Sequence, residues 1–132
     1  MPELAFRDGV MDRIRLRESR YDERAYLFVL AALEFCQLRR IKRGHISGQE
    51  LSLGCRDYAL AQFGLTAGAV LEYWGLRSTR DIGRIVFSLV DLGLLMKQDA
   101  DTMDDFESVY DFEEAFDESY PWLDLRHAVK EI

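Results

Sequence analysis

The sequence predicts a mainly α domain of four to five helices closed by a short two-stranded hairpin. Three observations point there. Apolar residues recur at helical spacing between capping signals as far as Leu92, and the two prolines, Pro2 and Pro121, leave the interior unbroken. The stretch "EYWGLRSTRDIGRIVFSLVDLGLLMKQDADTMDD", residues 72–105, then reads as a helix end, a turn, a second helix, a short strand and an acidic loop. That order is the layout of a winged helix, which raises the question of whether the chain reads DNA.

Length and composition support one folded domain. At 132 residues the chain is long enough to bury roughly two thirds of its unfolded surface, and 48% hydrophobic content with 8 Phe, 6 Tyr and 2 Trp is that of a globular protein. The expected organisation is one unit over 1–132. It comprises an amino-terminal helix in 1–20, a helical core in 21–98, and an acidic wing and carboxyl-terminal segment in 99–132.

The elements follow in order. Residues 4–17 set Phe6, Val10 and Ile14 four apart on a charged helix. Ser19 followed by Asp22 resembles a capping box for the next helix. There Tyr21, Ala25, Phe28, Ala32, Phe35 and Cys36 fall at helical spacing, with Asp22 and Glu23 in the first turn and Arg39 and Arg40 in the last, as the helix dipole favours. Leu27, Val29, Leu30 and Leu33 widen its apolar surface beyond one contact, so this helix is expected at the centre.

Gly44 ends that helix, and Ser47 with Glu50 makes an S-x-x-E box for a helix over Gly48–Phe63 that buries Leu51, Cys55, Tyr58, Ala59 and Phe63. Gly64 stops it. Thr66 is placed to cap a short helix, 67–74, which Gly75 closes. Ser78 with Asp81 opens the next, where Ile82, Ile85, Val86, Leu89 and Val90 form the buried stripe and Gly93 is the stop. "LLMKQ" then reads as a strand, "DADTMDD" as the wing and "FESVYDF" as its return strand. Phe106, Val109, Phe112 and Phe116 also sit at helical spacing, so helix remains the alternative for 106–116. Pro121 marks a turn before a last short helix from Leu123.

The blocks "GHISGQELSLGCRDYALAQFG" (44–64), "VLEYWGLRSTRDIGRIVFSLVDLGLL" (70–95) and "DDFESVYDFEEAF" (104–116) resemble a family of small acidic bacterial proteins known only as hypothetical proteins of unknown function. The likeness runs from about Tyr21 to Phe116 and implies a bacterial origin. It brings no catalytic or binding residues with it. The family places a basic residue directly before the histidine, whereas Gly44 stands between Arg43 and His45 here.

Charge is distributed unevenly. Residues 1–60 carry 11 Lys/Arg against 9 Asp/Glu, residues 61–98 carry 4 against 3, and residues 99–132 carry 2 against 12, so the net of −7 divides as +2, +1 and −10. For DNA reading, Arg77, Arg80 and Arg84 lie on or just before the candidate recognition helix. Asp81 and Asp91 on that helix, and Asp99, Asp101, Asp104 and Asp105 in the wing, oppose them where phosphates would be met. The denser cluster Arg39, Arg40, Lys42, Arg43 and His45 reads as cations on a helix end, as a phosphate or RNA contact, or as a landing site for the acidic tail. In "DFEEAFDESYPWLDLRHAVKEI", carboxylates alternate with Phe112, Phe116, Tyr120, Trp122 and Leu123, a pattern that suits either a docking peptide or a cap folded onto the domain.

Other chemistries find little support. Read as a calcium loop from Asp99, the wing fails at positions five, six and twelve. Glycine-rich phosphate loops, metalloprotease motifs and nucleophile elbows are missing. A Cys55–His45 pair is the least unfavourable arrangement of nucleophile and base, and Cys55 belongs to the core stripe. Cys36 and Cys55 read as buried small hydrophobes. No basic leader or membrane-length apolar run is evident, so a cytoplasmic setting is expected. The expectation is a non-catalytic interaction or adaptor module with a protein partner at the acidic carboxyl-terminal face, using no cofactor and no metal. Nucleic-acid binding through 39–45 and the helix 79–92 is the alternative.

Overall fold

The computed structural model describes residues 20–42, 44–96 and 102–116. The expected amino-terminal helix, the loop residues Asp99 and Asp101, Arg43, Tyr120, Trp122 and the last helix lie outside them. Five helices follow in order: α1 (Glu23–Leu38), α2 (Gly48–Phe63), α3 (Ala67–Tyr73), α4 (Thr79–Asp91) and α5 (Phe112–Phe116). Two 3-10 turns, Gly64–Thr66 and Met103–Phe106, join them. No described helix is long and apolar enough to cross a membrane.

Most ends form where short polar side chains and glycines stand. Asp22 caps α1 by accepting from the Arg24 amide at 2.8 Å, and Ser47 caps α2 by accepting from the Glu50 amide at 3.1 Å. Arg39 and Arg40 fall just past α1, Arg39 as its C-cap. After α2 the chain continues into a 3-10 turn, and the Thr66 hydroxyl donates back to the Phe63 carbonyl at 2.7 Å instead of capping α3. Gly75 ends α3 with φ +96°, which lets the Leu76 amide reach the Leu71 carbonyl at 2.8 Å.

The core is built around α1, which lies against both α2 and α4. Tyr26, Phe28, Val29 and Ala32 of α1 meet Leu51, Cys55 and Ala59 of α2 and Ile82, Ile85 and Leu89 of α4. Phe28 adds ring contacts with Tyr58, Phe63 and Trp74, tying in α3. Cys36 and Cys55 are both buried free thiols. A Cβ on Gly54 would overlap the Cys36 sulfur, so glycine there sets how closely α1 and α2 approach.

The wing is not present: among the described residues there is no β-strand. Leu94 and Leu95 direct their amides back to the Leu89 carbonyl, at 2.9 and 3.3 Å, and so finish α4 instead of pairing with a return strand. Asp105 accepts from the Thr102 amide at 2.8 Å, and Asp111 accepts from the Glu114 amide at 3.0 Å. These caps form turns where strands were expected, and of the alternative helix over 106–116 only Phe112–Phe116 is α-helical, with turns over 107–110. Residues 102–116 form a clip folded onto the domain. Phe106, Ala115 and Phe116 are buried, while Tyr110 and Phe112 are half-buried.

Two glycines make room for the clip. A Cβ on Gly83 would stand 2.8 Å from the Phe106 ring, and one on Gly48 would stand 2.7 Å from the Asp105 Cβ. The Thr79 hydroxyl donates to the Phe106 carbonyl at 2.6 Å and accepts from the Val109 amide at 3.2 Å. Gly83→Ala is therefore expected to destabilise the protein by about 1–3 kcal/mol through overpacking, although alanine is the better helix former. Urea denaturation checks this, with partial recovery expected in the double variant Gly83→Ala/Phe106→Leu.

Candidate functional site

The helix that a DNA reader would expose, α4, is covered. Of its 13 residues only Arg80 and Asp91 are exposed. The clip lies over Gly83, and the first turn is closed by its own Asp81. That carboxylate, 6% exposed, accepts from the Tyr21 hydroxyl at 2.5 Å and Arg84 Nη1 at 2.9 Å on one oxygen. Its other oxygen accepts from the Arg77 and Ser78 amides at 2.9 and 3.1 Å and the Ser78 hydroxyl at 3.3 Å. The expected Ser78–Asp81 box is present, and it also joins α4 to Tyr21, which leads into α1 from 60 residues away.

Asp81 and Tyr21 shift each other's protonation. Burial alone would raise the Asp81 carboxyl, but the Tyr21 hydroxyl, the Arg77 amide and the Arg84 guanidinium outweigh it and hold it below the usual carboxylate value. Burial, followed by the facing carboxylate, pushes the Tyr21 hydroxyl up to about 12.

The arginines proposed for phosphate contact meet carboxylates of this same chain. Arg84 is held by Asp81, and Arg80 stands 3.7 Å from Glu107 of the clip. Arg77 and Arg80 line a recess of about 530 Å³ shared with Glu107, Asp111 and Glu113. At the other cluster, Arg39 pairs with Asp57 at 3.0 Å and lies over the Phe35 ring. Arg40 donates to the His45 carbonyl at 2.5 Å and stands 3.7 Å from Glu50. Lys42 and His45 are exposed. Cys55 is fully buried, its thiol pushed up by that burial, and His45 lies on the surface, so the two do not form a reactive pair.

Two faces result. On the clip, the aromatic side chains turn inward while Asp104, Glu107, Asp111, Glu113 and Glu114 are exposed; Asp105 is half-buried and serves as a cap. Beyond the end of α1, the turn at 44–48 and the second half of α4 enclose a smaller, mostly apolar recess of about 150 Å³, into which Phe106 also faces. The Gln37 side-chain amide clasps the backbone of Gly44, donating at 2.6 Å and accepting at 3.1 Å. Sequence reasoning missed this recess, whose walls come from four separate segments, and it missed the Tyr21–Asp81 bond. Among the described residues, no group of three or more His, Cys, Asp or Glu is placed to hold a metal ion.

No protein-family model matches the chain, and no curated protein or solved structure matches it.

The Asp81 network has a testable pH signature. A carboxyl lowered by folding contributes stability that is complete above the unfolded value of about 3.9 and is lost as pH falls through the lower folded value. Asp81→Asn is expected to cost about 2 kcal/mol at neutral pH and to flatten the acid limb of the stability profile. Chemical denaturation at a series of pH values between 2 and 7 measures both.

Proposed function

We propose that this protein is a non-catalytic interaction module that presents the acidic face of residues 102–116 to a basic surface on a protein partner. One observation carries the reading: in this segment aromatic and acidic residues separate cleanly, the aromatics anchored in the domain and five carboxylates left at the surface. A clip held this way has already lost its conformational freedom, so a partner need not supply the cost of ordering it. Clustered carboxylates on a fixed backbone favour fast, salt-sensitive association with cations and repel nucleic acid. The covered α4 and the internally paired arginines weigh against phosphate-backbone recognition in the same way.

The test is affinity capture from a native lysate with the full chain and with Asp111→Asn/Glu113→Gln/Glu114→Gln, in which asparagine keeps the α5 cap. Partners captured at low salt by the parent are expected to be lost or weakened about 10-fold by the triple variant, whose thermal melt stays unchanged. Equal capture by both chains, no salt-sensitive partner for the parent, or retention of the parent on heparin that falls steeply with salt would each overturn the reading.

A further inference from the structure

Where the clip meets the ends of α3 and α4, space is left between them. The recess of about 530 Å³ at the start of α4 adjoins a second hollow of about 390 Å³ between α3 and α5, and Arg77, Phe112 and Glu113 line both. Sites for small ligands commonly span about 300–1,000 Å³ and carry a few polar groups on a partly apolar wall. Here the apolar wall is the Phe112 ring, which lies flat against Tyr110 with centroids 5.5 Å apart.

The walls carry charge of both signs. Counted over both hollows, Arg77 and Arg80 stand against Glu72, Glu107, Asp111 and Glu113, a net of −2. Glu107 lies 3.7 Å from Arg80, and one oxygen of Asp111 accepts from the Glu114 amide. Arg77 differs from the arginines around it. Arg24, Arg39, Arg40, Arg56, Arg80 and Arg84 each lie 2.9–3.7 Å from a carboxylate. Among the described residues the Arg77 guanidinium pairs with none, although Glu72 and Glu113 line its hollow. Opposite charges that face one hollow without closing on each other are placed to hold a molecule that carries both signs.

We propose that the two hollows together bind a free basic α-amino acid of the arginine or lysine type. In the smaller hollow one guanidinium and two carboxylates complement the head of an α-amino acid, its carboxylate on Arg77 and its ammonium between Glu72 and Glu113. The aliphatic stem runs along Phe112, and the terminal cation meets Asp111 in the larger hollow. The surplus of carboxylates over cations on the walls selects a ligand of net positive charge. A peptide bond on either side would remove one of the two head charges, so the free amino acid, and not a chain terminus, satisfies both. The site goes beyond the acidic face, because Glu72 and Arg77 lie outside the clip.

Amide chemical-shift titration of the full chain at constant ionic strength tests this with L-arginine and three analogues that each lack one charge. L-arginine amide lacks the carboxylate, Nα-acetyl-L-arginine the ammonium, and L-citrulline the side-chain cation. L-arginine is expected to saturate the chain at millimolar concentration or below, with shifts confined to the surroundings of Gly68, residues 77–80 and residues 107–113. Each analogue is expected to bind roughly 10-fold more weakly, the effect of losing one charge-assisted contact. Arg77→Ala and Glu72→Gln, both at exposed positions, are expected to weaken L-arginine about 10-fold with unchanged thermal melts. Absence of saturation by L-arginine, equal binding of any analogue, or unchanged affinity in Arg77→Ala would overturn the proposal. Tighter binding of the amide than of L-arginine would also overturn it, by assigning the hollows to a cation borne on a peptide. Arg77→Ala removes no carboxylate and is expected to capture the partners of the acidic face as the parent does, which separates failure of this site from failure of that face.

Discussion

Phe106 enters the domain through a seat that glycine leaves open, and much of the architecture follows from that contact. Gly83 yields the space for its ring, and Gly48 lets the preceding backbone lie against α2. The buried Thr79 hydroxyl then spends both of its hydrogen-bonding roles on the clip, donating to the Phe106 carbonyl and accepting from the Val109 amide. Burying such a ring contributes about 2–3 kcal/mol, and a buried hydroxyl satisfied in both directions adds direction to an otherwise apolar contact. With Phe106 in place, α4 is covered, the following carboxylates face solvent, and one wall of the small recess is complete.

A second restraint acts in the same first turns of α4. Asp81 accepts hydrogen bonds from Tyr21, Arg77, Ser78 and Arg84, so an ordinary capping residue also fixes how the entry to α1 sits on α4. This network differs in kind from the pairs at the end of α1. Arg39 and Arg40 remain substantially exposed in their pairs with Asp57 and Glu50, and exposed pairs contribute at most about 1 kcal/mol. The buried carboxylate is a structural part that cannot be exchanged cheaply.

The legible parts of the sequence were those written in local code. Apolar periodicity and the caps at Ser47, Ser78, Gly64 and Gly75 placed α2, α3 and α4 to within a residue or two, because each signal acts within one turn, whereas α1 stops at Leu38, well short of the expected stop at Gly44. The failures lie where local patterns tie. Phe106, Ser108, Tyr110 and Phe112 alternate like a strand, while Phe112 and Phe116 are spaced like a helix; tertiary seating of the rings and the Asp105 and Asp111 caps decided between them. Arginines 77, 80 and 84 were visible as a cationic helix, but their carboxylate neighbours Glu107 and Asp81 are settled by folding. Gly83 was the overlooked hint: a glycine inside a strongly periodic helix weakens the helix unless something must come close.

The acidic face owes its shape to the residues behind it. Asp111, Glu113 and Glu114 repel one another, and like charges at helical spacing cost a few tenths of a kcal/mol per pair. Each aromatic ring that the clip buries offsets several such pairs, at about 2 kcal/mol or more for a fully buried ring. The carboxylates are therefore held in positions that they do not themselves stabilise. This division separates surface charge from folding, since the outward charges could change while Phe106, Tyr110, Phe112 and Phe116 keep the same backbone. Under the function proposed above, a cationic surface would relieve the repulsion that the fold tolerates, and that relief would supply part of the driving force for association.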